Sequence, residues 1–139
     1  MKNKKIFIAC DTKSIKKVKK IIKNTQNSKL KIGYKFGLEF LNSKKGRSFV
    51  SKLKNQIIFA DLKIHDIPNT CMSTIQAIKD LKVNYLTIHI SSGLQALKAS
   101  KKIVGKTKLI GVTILTSLDE FDHIGSASLA AKTAASVSA

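Results

Sequence analysis

The sequence has no tryptophan, one proline and two cysteines, and Arg47 is the only arginine among 26 basic residues. Two thiols, Cys10 and Cys71, each among apolar neighbours, fit neither a disulfide framework nor a zinc site, and both read as reduced core residues. Long hydrophobic runs are also missing. The first apolar run, Ile6 to Cys10, stops at Asp11 after five residues. That is too short for a signal-peptide core and far from the roughly 18 residues of a membrane span, so a cytoplasmic protein without a membrane partner is expected. Acidic residues number eight, giving a formal net charge of +18. A charge of that size suits a nucleic-acid surface, but the lysines are spread along the chain and few aromatics sit among them to stack bases. A lysine-rich solvated surface is the simpler reading. With 139 residues the chain can hold one modest core, yet it is short for a closed (β/α)8 barrel of about 250.

What the sequence does contain is organised around residues 57–70. Ile57 to Ala60 is apolar without alternation, as in a parallel-sheet strand covered on both faces. Pro68 suits the first turn of a helix, where its missing N–H costs nothing. Between them stand Asp61, Lys63 and Asp66. At a strand period of two, Asp61 and Lys63 point the same way, so an acid and a base leave the carboxyl end of the strand together.

The rest of the chain repeats a strand-then-helix pattern. Lys5 to Cys10 is expected as the first strand, and Ser14 as N-cap of a helix with Ile15, Val18, Ile21 and Ile22 on its apolar face. A short second strand, Leu30 to Tyr34, precedes a helical region around Phe49, Val50 and Leu53. After Pro68 comes a helix with Met72, Ile75, Ile78 and Leu81. Val83 to Ile90 and Leu109 to Leu115 are the fourth and fifth strands, with a helix from Leu94 between them. The fold class is therefore α/β, a partial TIM (β/α)8 barrel of about five βα units with parallel strands and right-handed crossovers. On this reading Asp11, Lys31, Asp61 with Lys63, His89 and Thr116 all lie at carboxyl strand ends, the face where such barrels carry chemistry. Residues 1–125 form this unit. Residues 126–139, rich in alanine and serine, read as an atypical tail, with truncation or a shifted reading frame as the suspected origin.

Lys31, Asp61, Lys63 and Asp66 alternate in sign. If they converge, each charge favours the ionised form of its neighbours. Such an array suits a reaction that moves negative charge within a substrate: a fixed ammonium stabilises a developing carbanion and then protonates it. A salt-bridge network closing a barrel is the plainer alternative.

Asp61-Leu62-Lys63-Ile64-His65-Asp66-Ile67-Pro68-Asn69-Thr70 resembles the signature of the orotidine 5′-phosphate decarboxylase family. Ala9-Cys10-Asp11, Leu30-Lys31-Ile32-Gly33 and Gly111-Val112-Thr113-Ile114-Leu115-Thr116-Ser117 agree in order and spacing. The resemblance implies decarboxylation of orotidine 5′-monophosphate to UMP in pyrimidine biosynthesis, with no metal or organic cofactor. It implies that Lys63 protonates C6, that Asp61 faces the substrate carboxylate, and that Asp11 and Lys31 hold the ribose and the network. Asp66, Ile67 and Thr70 would reach into a neighbouring site across a homodimer interface, and Thr116 would bond the pyrimidine edge. In complete family members the phosphate is held from the second half of the barrel, so weak or absent turnover is expected of this chain alone. An inactive fragment is the runner-up, and a basic nucleic-acid-binding protein the more distant one. His89 and His65 read as packing residues, and Asp119, Glu120, Asp122 and His123 as a solvated loop rather than a metal site.

Overall fold

The computed structural model describes residues 5–26 and 29–114. Five parallel strands form one sheet in sequence order: β1 (Lys5–Ala9), β2 (Lys31–Gly37), β3 (Ile57–Ile64), β4 (Tyr85–His89) and β5 (Lys108–Val112). Between them run α1 (Ile15–Thr25), α2 (Leu38–Leu41), α3 (Gly46–Ser51), α4 (Pro68–Ala77) and α5 (Leu94–Ile103). This is a partial α/β barrel. Thr116, the acids at 119, 120 and 122, His123 and the 126–139 tail lie outside the described residues.

Helix starts follow the local chemistry. Ser14 Oγ accepts the Lys17 N–H at 3.3 Å and opens α1, which buries Val18 and Ile22 and turns its lysines outward. Pro68 occupies the first turn of α4, which buries Cys71 and Ile75. Arg47 ties α3 to the turn after α4, donating to the Ala77 carbonyl at 2.7 Å and to Asp80 at 2.6 Å.

The sheet has two unlike faces. On the helix side Tyr34 and Phe36 are fully buried: the Tyr34 hydroxyl bonds Thr25 Oγ1 of α1 at 2.8 Å, and Phe36 stacks on Phe40 with centroids 5.1 Å apart. On the concave side Phe7 of β1 meets Phe59 of β3 edge to face at 5.3 Å, across the intervening strand. Gly33 makes that contact possible, because a Cβ there would lie 2.6 Å from the Phe7 ring.

The expected second strand, Leu30 to Tyr34, is corrected: β2 begins at Lys31 and continues past Tyr34 to Gly37. Lys31 consequently stands at the amino end of β2, paired in register with Lys5, and not at the carboxyl end. The position near the barrel mouth falls to Lys35, whose partners are Ala9 of β1 and Phe59 of β3.

Candidate active site

The carboxyl end of β3 is irregular. Ala60 pairs with Leu86 and Ile64 with Ile88, so four steps of β3 run beside two of β4 and the surplus residues form a bulge. Within it Lys63 adopts φ 47°, a left-handed conformation that costs a non-glycine residue about 1–3 kcal/mol. Thr87 of β4 holds this kink from the side. Its hydroxyl accepts the Lys63 backbone N–H at 2.8 Å and donates to Asp61 Oδ1 at 3.0 Å.

Asp61 is the centre of the charge. Its Oδ2 accepts from Lys63 Nζ at 2.9 Å and from Lys35 Nζ at 3.0 Å, and the residue is only 8% exposed. Burial pushes the carboxyl up, but the hydrogen bonds from Lys63, Lys35 and Thr87, with the Lys35 charge, outweigh it and hold the group below its usual value. The two lysine side chains remain part-exposed, at 42% for Lys63 and 30% for Lys35, while the Asp61 side chain beneath them is 10% exposed.

Of the expected site residues, the fold brings Asp61 and Lys63 into contact and keeps Lys31 away. Among the described residues Asp66 makes no ion pair. Its Oδ1 accepts the Ile67 N–H at 2.8 Å, its carbonyl accepts from Cys71 Sγ at 3.2 Å, and the side chain is exposed. Ile67 is 65% exposed and Thr70 is exposed on α4, so this rim faces outward. Asp11 follows β1 beside Gly37, exposed and without an ion pair among the described residues. Two cavities flank the rim, one of about 400 Å³ bounded by Lys63, Asp66 and Thr70 and one of about 440 Å³ bounded by Asp66, Ile67 and Ser91.

The sequence reading missed Lys35 and Thr87. A threonine inside a strand reads as ordinary β-propensity, whereas the alternation of Ile32, Tyr34 and Phe36 beyond Gly33 was a signal for Lys35. His65 and His89 stack, with centroids 4.8 Å apart, and Ser91 Oγ lies 3.3 Å from His65 Nε2. Burial first, then the neighbouring His65 and Lys63, push His89 below its usual value, favouring a neutral ring. Burial, aided by Asp11, raises the Cys10 thiol to about 11, consistent with an inert core residue. No group of three or more metal-binding side chains occurs among the described residues. None of the described helices is long and apolar enough to cross a membrane.

Comparison with known proteins places this geometry in context. Residues 4–139 match the sequence family described as orotidine 5′-phosphate decarboxylase / HUMPS. The chain is 43% identical over 121 residues to the orotidine 5′-phosphate decarboxylase of the Wolbachia of Brugia malayi, covering 84% of this chain and 52% of the relative. It is 50% identical over 92 residues to the Wolbachia pipientis enzyme from Culex pipiens, covering 63% and 40%. The chain thus spans about half the length, or less, of these curated relatives. In structure it is similar to the Lactobacillus acidophilus orotidine 5′-phosphate decarboxylase, with a TM-score of 0.72 and 31% identity over 86% of this chain and 56% of that one.

Proposed function

The chain belongs to the orotidine 5′-phosphate decarboxylase / HUMPS family, and from that premise we propose that the whole protein decarboxylates orotidine 5′-monophosphate to UMP in the cytoplasm, without metal or organic cofactor. The observation that carries this reading is the Asp61–Lys63 contact at 2.9 Å on a kinked strand end. In the reaction the bond between C6 and the carboxylate breaks, carbon dioxide leaves, and the electron pair remains on C6. The Lys63 ammonium stabilises that pair and then transfers its proton to C6. Asp61 orients Lys63 and opposes the substrate carboxylate before it departs.

The second ammonium of the array is Lys35 on this reading, because Lys35 and not Lys31 bonds Asp61. Lys31, to which the resemblance had assigned that place, stands at the other end of β2. Asp11, beside Gly37, is assigned to the ribose hydroxyls. Asp66, Ile67 and Thr70, exposed on one rim, are assigned to the neighbouring site of a homodimer, which supplies a partner for an isoleucine that is 65% exposed. Thr116 keeps its assignment to the pyrimidine edge.

The test compares loss of orotidine 5′-monophosphate and UMP binding in the whole protein and in its Lys63→Ala variant. Turnover should fall by at least three orders of magnitude, while UMP affinity changes far less, since the lost interaction acts in the transition state. Equal turnover by the variant would refute the role of Lys63.

A further inference from the structure

At the end of the sheet remote from Asp61, the strands begin with charge. Lys5 opens β1, Lys31 opens β2 and Lys108 opens β5, while Tyr85 opens β4. Parallel pairing brings these first residues to one end: Lys5 is in register with Lys31, and Tyr85 with Lys108. Lys106, in the turn before β5, completes a cavity of about 250 Å³ bounded by four lysines and the Tyr85 ring. Among the described residues no acidic side chain lines it, and none of these lysines makes an ion pair. Like charges side by side on neighbouring strands repel. Here the Lys5 ammonium donates to the Tyr85 hydroxyl at 2.7 Å.

We infer that this cavity binds a small oligophosphate, such as pyrophosphate or the phosphate chain of a nucleotide, at a site separate from Asp61 and Lys63. Three regular steps of β3 from Ile57 at the cavity to Ala60, and the bulge from there to Lys63, set the two about 15 Å apart. The ligand class follows from the donors. Four ammonium groups around one opening offer point charges to a compact, multiply charged anion, without the planar fork that carboxylates favour. The cavity is too small for a polymer to thread, and one aromatic ring provides no row of stacking platforms. Tyr85 reports on the same field: the Lys5 hydrogen bond, then the charges of Lys5, Lys108 and Lys31, lower its phenol from the usual value.

Calorimetric titration of the chain with sodium tripolyphosphate at about physiological salt tests the site. Saturable one-to-one binding is expected, weakened at least tenfold by Lys5→Gln/Lys31→Gln/Lys108→Gln. The control Lys16→Gln/Lys19→Gln/Lys23→Gln on α1 should stay within twofold. A measurement on the unaltered chain stands beside it: tripolyphosphate should move the ultraviolet titration of Tyr85 upward in pH, with Tyr34→Phe used to identify the signal. Absence of saturable binding, equal weakening by both triple variants, an unmoved Tyr85, or preference for an RNA oligonucleotide over tripolyphosphate would each overturn the inference. None of these outcomes depends on Lys63, so this inference and the proposed decarboxylation fail separately.

Discussion

Replacing Thr87 by valine should unfasten the site while leaving the volume of the core unchanged. The hydroxyl makes two bonds, accepting from the Lys63 N–H and donating to Asp61 Oδ1, and Thr87 is 5% exposed. Valine leaves a backbone donor without a partner inside a bulge, at about 1–3 kcal/mol, and removes a hydrogen bond to a charged group, at about 1.5–3 kcal/mol. Because the two share one oxygen and are not additive, a loss of about 3 kcal/mol is expected. For a chain of this size each kcal/mol lowers Tm by about 3–5 °C, so the midpoint should fall by roughly 10 °C. Thr87→Ser keeps the hydroxyl and gives up one methyl group, for about 1 kcal/mol. Urea unfolding of the three proteins measures the difference, and carboxyl NMR should show the Asp61 titration move upward in the valine variant alone. If valine proves as stable as serine, the hydroxyl does not hold the bulge and the reasoning fails.

Lys63→Gly should be about 0.5–1 kcal/mol more stable than Lys63→Ala in urea unfolding, since both delete the ammonium but only glycine accepts φ 47° without strain. The lowered Asp61 carboxyl sets an acid dependence. Below about pH 4 the unfolded chain takes up this proton before the native one does, so stability is full above that pH, is lost as pH falls through the native value, and that part of the slope vanishes in Asp61→Asn. Lys35→Ala should raise the Asp61 titration seen by NMR, whereas Lys31→Ala should leave it unmoved; the reverse pattern would reinstate Lys31 as the partner of Asp61. Gly46→Ala should cost at least about 2 kcal/mol by thermal unfolding, because its Cβ would meet the Phe40 carbonyl and Ser43 Oγ at the start of α3.

Strand β3 and the turn into α4 were legible because their signals are local: an unbroken apolar run, two charges at period two, and a proline in a first helical turn. Ser14 was legible for the same reason, a cap read from one residue and its neighbours. The end of β2 was not. Glycine ordinarily weakens a strand, and only the approach of Phe7 to Phe59 across β2 explains why Gly33 sits mid-strand. Because the strand runs on to Gly37, Lys31 stands at its amino end and Lys35 comes beside Asp61. Thr87 was hidden for a related reason, since its role exists only where a bulge on β3 leaves an N–H facing β4.

The bulge also explains why fold stability and candidate chemistry are coupled here. A regular β3 would continue its ladder to β4, and the Lys63 N–H would have a carbonyl partner in place of a side chain. The irregular strand gives up that regularity and accepts a left-handed lysine, about 1–3 kcal/mol of strain. In exchange one threonine joins the backbone of Lys63 to the carboxylate that binds its ammonium. Lysine has four side-chain torsions and would otherwise sample many positions at 42% exposure. Fixing its backbone and its charge through the same Asp61–Thr87 unit confines the ammonium to a small volume at the mouth. Any substitution that relaxes the kink should therefore loosen the ammonium even with all the charges present, which a count of charged residues in the sequence does not reveal.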